Sequence, residues 1–94
     1  MGMTAFSAVV TGRVQGVGFR WMAATEAERL GVKGWVCNTR DGDVEVWAEG
    51  PEEKTQVFLD WLHQGPRHAH VREVRVTQVP PNGYKHFSID HDHW

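Results

Sequence analysis

The chain has 94 residues, ten basic side chains against twelve acidic ones, a formal net charge of −2, and 40 % apolar residues with five tryptophans among them. That length suits a single domain, able to bury roughly 60–68 % of its unfolded surface with no disulfide or structural metal. The balance excludes a disordered chain, a nucleic-acid partner held mainly by phosphate charge, and a membrane span, because no apolar run approaches the ~18–20 residues a bilayer requires.

The opening MGMTAF has neither the basic start nor the long apolar core of a signal peptide. Phe6 stands where N-myristoylation wants Ser or Thr. The one cysteine, Cys37, has no internal partner, which favours a reducing compartment. The expected location is the cytoplasm and the expected state a monomer.

Phe6, Ala8 and Val10 alternate with Ser7, Val9 and Thr11, which predicts a first strand. A glycine-rich loop follows over 12–18. From Phe19 the positions Phe19, Met22, Ala23, Ala27 and Leu30 recur at helical spacing, and Gly31 supplies a stop. Val32 to Thr39 reads as a second strand. The Asp-Gly of Arg40-Asp41-Gly42-Asp43 signals a hairpin. The third strand puts Val44, Val46 and Ala48 on one face, and Asp43, Glu45, Trp47 and Glu49 on the other. Gly50-Pro51-Glu52-Glu53 opens a second helix, with proline tolerated at the first position and two carboxylates at the positive end of the dipole. Val57, Phe58, Trp61 and Leu62 form its expected buried stripe, and Gly65-Pro66 ends it. A fourth strand runs from Val71 to Val79 with Val74 and Val76 inward. After the turn Pro80-Pro81-Asn82-Gly83, a short last strand covers Tyr84 to Asp90, with Phe87 and Ile89 inward. The order β-α-β-β-α-β-β predicts an α+β, ferredoxin-like sandwich: two helices on one face of a mainly antiparallel sheet of four to five strands.

The stretch GRVQGVGFR, residues 12 to 20, carries three glycines in nine positions. Between a strand and a helix such a loop exposes backbone N–H groups near a helix N-terminus, which together make an anion site. It is no Walker A loop, because Phe19 and Arg20 follow Gly18. It is no dinucleotide fingerprint either, because Trp21 stands where glycine or alanine is needed. A plain tight turn is the alternative. Arg20 tips the reading toward a ligand. A cation in a helix's first turn opposes the dipole unless an anion joins it, and a guanidinium can fork two phosphoryl oxygens. A solvated surface arginine is its own plain alternative.

In this fold the first and second strands run the same way with the third between them. Their C-terminal ends therefore lie on one edge of the sheet, two strand spacings or roughly 10 Å apart. The loop leaves the first end and Asn38 lies at the second. Asn38 shares a face with Val36, so its amide breaks an inward apolar pattern. Taken alone it reads as a hairpin cap; beside the loop, it can orient a water.

Gly12-Arg13-Val14-Gln15-Gly16-Val17-Gly18-Phe19-Arg20 resembles the phosphate-binding signature of the acylphosphatases, and Gly34-Trp35-Val36-Cys37-Asn38-Thr39 resembles their second signature. Asp41-Gly42 and Glu49-Gly50-Pro51 also fall where family members have such residues. The resemblance covers about residues 5–90, leaving 91–94 as a tail that departs from the usual ending. It implies the fold above, and metal-independent hydrolysis of acyl phosphates to a carboxylate and inorganic phosphate, with no cofactor. Carried over by position, Arg20 binds the phosphoryl oxygens, and the backbone from Gln15 through Gly16, Val17 and Gly18 to Phe19 completes the cradle. Asn38 holds the attacking water. Cys37 sits where the family is often basic and receives no role. The partners implied are a small acyl phosphate substrate, and inorganic phosphate as product and ligand.

Two other features point elsewhere. His68-Ala69-His70 and His91-Asp92-His93 are i, i+2 pairs that could ligate zinc on a strand, but they fall at a loop and a terminus, so no metal is expected. Trp35 and Trp47 should share the sheet face away from the helices as a cross-strand aromatic pair. An RNA-binding face would need a basic-aromatic consensus where Val44-Glu45-Val46-Trp47-Ala48-Glu49 is acidic. The rival functional reading is a non-catalytic or module-type acylphosphatase-like domain, binding phosphate or carbamoyl phosphate within a larger enzyme, as in hydrogenase-maturation carbamoyltransferases.

Overall fold

Alternation along the strands and a four-residue repeat along the helices converge on one apolar layer. The computed structural model describes residues 2–91; Met1 and the tail residues Asp92, His93 and Trp94 lie outside the described residues, and with them one of the two histidines of the pair expected at 91–93. The elements are β1 (Met3–Arg13), α1 (Phe19–Leu30), β2 (Lys33–Asn38), β3 (Val44–Pro51), α2 (Glu52–Gln64), β4 (His70–Val79) and β5 (Phe87–Ile89). The sheet order is β4-β1-β3-β2-β5. β3 is antiparallel to both β1 and β2, so those two strands run together and end on the same edge. The ferredoxin-like expectation is met, with a fifth strand added parallel to β2.

Phe6, Ala8 and Val10 of β1, Val36 of β2, and Val44, Val46 and Ala48 of β3 present one continuous apolar face. α1 covers it with Phe19, Ala23, Ala27 and Leu30, and α2 with Phe58 and Leu62. Each helix ends on glycine. Gly31, in the left-handed region at φ 76°, donates to Glu28 O, while Val32 donates to Ala27 O, which satisfies the last carbonyls of α1. Gly65 donates to Trp61 O at 2.8 Å. Phe58 meets Phe87 edge to face at 5.6 Å between ring centroids, and Trp61 meets Phe19 at 5.5 Å. The aromatic cluster on α2 thus holds both the start of α1 and strand β5.

Three expected inward residues lie further out than their spacing suggests. Met22 is 42 % exposed, Val57 44 % and Val76 39 %. The buried stripe of α2 is the narrower set Thr55, Phe58 and Leu62, so Val57 falls on its flank. Val76 sits opposite Ala8 on the helix side, but β4 is an edge strand that the two helices only partly roof.

The expected last strand over Tyr84–Asp90 contracts to Phe87–Ile89, and Glu49 supplies the reason. Its carboxylate, 2 % exposed, accepts the backbone N–H groups of Asn82, Gly83 and Tyr84 at 2.7–2.9 Å, and the Trp47 indole N–H at 2.9 Å. Those amides serve the carboxylate instead of a ladder. Burial pushes the Glu49 carboxyl up, but these four donors outweigh it and hold it below the ordinary value. The segment so anchored lays Tyr84 over the outer sheet face. Its hydroxyl accepts the Trp35 indole N–H, and its ring meets Trp47 edge-on. Trp35 and Trp47 are directly opposed, as expected. Trp35 is nevertheless buried, so its ring is no platform for a stacking base.

Candidate active site

The ladder between β1 and β4 shifts register between Thr11 and Gly12. Gly12 has φ 122°, and a Cβ there would sit 2.1 Å from His70 O. Only glycine lets the strand pass so close to β4 while the bulge re-aims the chain into the loop. Val14, 1 % exposed, then pins the loop to the core. Gly16 and Gly18 follow in the left-handed region at φ 76° and 78°, and a Cβ on either would meet nothing within 4 Å. Their job is conformation: left-handed φ at these two positions turns the chain into the start of α1.

Among the described residues, none of the backbone N–H groups from Gln15 to Phe19 donates a hydrogen bond within the protein. α1 begins at Phe19 with Gly18 as N-cap, no side-chain cap and no acidic residue in the first turn. Its positive end is unneutralised. Phe19 is buried against Trp61 and fixes that end in place. Arg20, half-buried, makes no ion pair or hydrogen bond among the described residues.

The opposite wall is the end of β2. Asn38 faces Val44 across the ladder, and the turn beyond it is closed by Thr39 N–H to Asp43 O at 2.9 Å and Asp43 N–H to the Thr39 hydroxyl at 3.2 Å. The Asn38 Oδ1 is buried and has no hydrogen-bond partner among the described residues. An orphaned buried oxygen costs about 1–3 kcal/mol, so a fold that keeps one needs a reason. The Gln15 side chain joins the two walls, donating from Nε2 to Thr39 O at 2.9 Å and to Asp43 O at 2.8 Å.

Between the walls lies a cleft of about 360 Å³, bordered by Gly16, Gly18, Phe19, Arg20 and Asn38. Five of the seven residues singled out from sequence therefore meet at one opening. Gln15 and Val17 do not line it: the Gln15 side chain turns to the hairpin and Val17 packs on the core, leaving only their main chain for the loop's outer face. Trp21, Ile89 and His91 also line the cleft, and the reading from sequence missed all three. Trp21 was legible as an aromatic beside Arg20. Ile89 and His91 arrive only because β5 pairs with β2.

Cys37 is buried and lies outside the cleft lining. Burial, with Glu45 and Asp90 adding and Arg20 opposing, pushes its thiol up to about 11, so it holds its proton at neutral pH. Among the described residues no three His, Cys, Asp or Glu side chains come together as a metal site, and no helix is long and apolar enough to cross a membrane.

Most of the chain matches a known protein family. The acylphosphatase family profile covers residues 6–89. The chain belongs to the acylphosphatase family. The acylphosphatase of Thermococcus kodakarensis is 48 % identical over 80 residues, 85 % of this chain and 88 % of that one. The crystal structure of the Bacillus subtilis acylphosphatase superposes with a TM-score of 0.90 at 40 % identity, covering 93 % of this chain and 98 % of that one. This family member is also similar to HypF of T. kodakarensis, with a TM-score of 0.83 and 29 % identity. There the match spans 96 % of this chain but only 12 % of the larger one.

Proposed function

We propose that this chain hydrolyses acyl phosphates to a carboxylate and inorganic phosphate without a metal, with Arg20 and the 15–19 backbone holding the phosphoryl group and Asn38 the water. The reaction class follows from membership in the family. The residue assignment rests on one observation: an arginine, three loop residues whose amides donate to nothing and an asparagine whose side-chain oxygen has no partner, all judged among the described residues, line a single cleft.

A phosphoryl dianion answers the first two needs at once. Backbone N–H groups and the dipole of α1 take its oxygens, and the Arg20 fork adds two charge-assisted donors. The Asn38 Oδ1 can only accept, and it is buried beside the cleft that its residue lines; a turn of the side chain toward the cleft gives it a donor, the attacking water, whose lone pair it then aims at phosphorus. The leaving group is a carboxylate whose acid has a pKa of about 4, so it departs without a proton and no general acid is required. The transition state spreads charge over the equatorial oxygens. Positioning and a preorganised field then supply the catalysis. The water's oxygen bonds to phosphorus as the acyl oxygen leaves, and its proton passes to the phosphoryl group itself.

The same reading takes residues 5–90 as the core of one domain acting as a monomer. The single buried cysteine supports a cytoplasmic setting. The likeness to HypF supports a module within a longer reaction as the second reading. Loss of absorbance of benzoyl phosphate, with chelator present, separates the two. Rapid turnover by the intact chain, and its loss by at least ~10²-fold in Arg20→Ala with no rescue by Arg20→Lys, is the expected result. Full activity of Arg20→Ala would end the assignment, and absence of turnover in the intact chain would favour the module.

A further inference from the structure

Trp21 follows the phosphate-binding arginine directly on α1, borders the same cleft, and leaves 70 % of its surface in solvent. Tryptophan is among the costliest side chains to expose, and the other large aromatics near the site, Phe19 and Trp61, are packed away on the core side. Ile89, half-buried at the end of β5, and His91 line the same cleft. The lining is therefore of two kinds. One is the polar cradle of loop backbone, Arg20 and Asn38. The other is an apolar wall, the Trp21 indole and Ile89. Ligand sites have this form when a few polar groups fix orientation and an apolar lining takes the rest of the molecule. With a phosphoryl group in the cradle, the acyl portion is the only part of the substrate left to meet the wall.

We infer that Trp21, with Ile89, sets the acyl-group preference of the site, favouring acyl phosphates with a planar aromatic or extended apolar acyl group over acetyl or carbamoyl phosphate. This rests on the hydrolytic reading above and adds its substrate class. An acetyl group is too small to cover an indole. A phenyl ring can stack on it, and the carboxylate product keeps the ring conjugated and flat as the bond breaks. The contact acts on binding and on the transition state alike, because the ring lies away from the reacting phosphorus.

The test is the ratio of kcat/KM for benzoyl phosphate to that for acetyl phosphate, measured in the full chain and in Trp21→Ala and Trp21→Phe. The expected result is a ratio about fivefold lower in Trp21→Ala, as befits loss of one stacking contact, and largely kept in Trp21→Phe. Melting curves check that the exposed substitution leaves the fold intact. A ratio unmoved in Trp21→Ala, with both substrates still turned over, overturns the inference and spares the hydrolytic reading. Failure of the intact chain to hydrolyse either compound overturns both.

Discussion

The Gln15 side chain donates a hydrogen bond to the backbone carbonyl of Asp43, Nε2 to O 2.8 Å. The same nitrogen gives its other hydrogen to Thr39 O at 2.9 Å, so one amide clamps the glycine-rich loop to the hairpin that carries Asn38. Gln15→Leu removes both of these bonds and frees the loop, while Thr39 N–H still serves Asp43 O and Gly42 N–H still serves Thr39 O. It should lose about 1–3 kcal/mol in urea unfolding and about tenfold or more in kcat/KM, since small displacements of positioned groups are costly. Gln15→Glu should be worse, because a carboxylate facing two carbonyls repels where the amide attracts. A leucine variant with wild-type kinetics would show that the clamp does not position the site.

Asn38 should separate stability from activity. Its Oδ1 has no partner among the described residues, so Asn38→Ala removes an orphan and breaks no hydrogen bond described at that atom. The expected outcome is a melting temperature equal to or above wild type, with kcat reduced by ~10²–10³-fold. Inorganic phosphate should still bind to the variant, as titration calorimetry can read, because the amide loop and Arg20 are untouched.

Glu49 supports the fold and makes no contact with the cleft. Glu49→Gln loses the charge that three backbone amides and an indole serve, and should cost about 1.5–3 kcal/mol. The pH dependence has a definite sign. A carboxyl whose folded-state pKa is lowered binds fewer protons than its unfolded form. Its contribution is complete above the ordinary value of 4.5 and is lost as pH falls below that, through the lowered value. Urea midpoints measured down through this range should fall more steeply for wild type than for Glu49→Gln.

Cys37 should behave in the opposite sense. Its thiol is raised from the ordinary 9.0 to about 11 in the folded protein. The stability it contributes is therefore present in full below about 9 and is lost as pH rises toward 11. Cys37→Ala or Cys37→Ser should flatten the alkaline limb of the stability curve. At pH 7 the native thiol should resist a disulfide reagent that labels the urea-unfolded chain at once.

The glycine loop, Arg20 and Asn38 were legible because their chemistry contradicts their local setting: a cation at a helix's positive end, and an amide on an apolar strand face. Val57 and Val76 misled because periodicity marks which side of an element faces the core but not how far the roof above it extends; the edge strand and the helix flank lie beyond it. Glu49 read as one more outward carboxylate on β3. Nothing in its neighbours predicts that residues 82–84 will return to bring it their amides, 33 to 35 positions along the chain.

The sequence by itself determined the elements, their order and the left-handed turns of the loop, because alternation, helical spacing and glycine's left-handed freedom are local properties. Only the tertiary structure decided that β5 would pair with β2 and bring Ile89 and His91 to the cleft, that Gln15 would spend its side chain on the hairpin, and that Trp21 would stand open beside Arg20. Those outcomes depend on which distant surfaces meet, and contacts between segments far apart in the chain leave no periodic trace within either one.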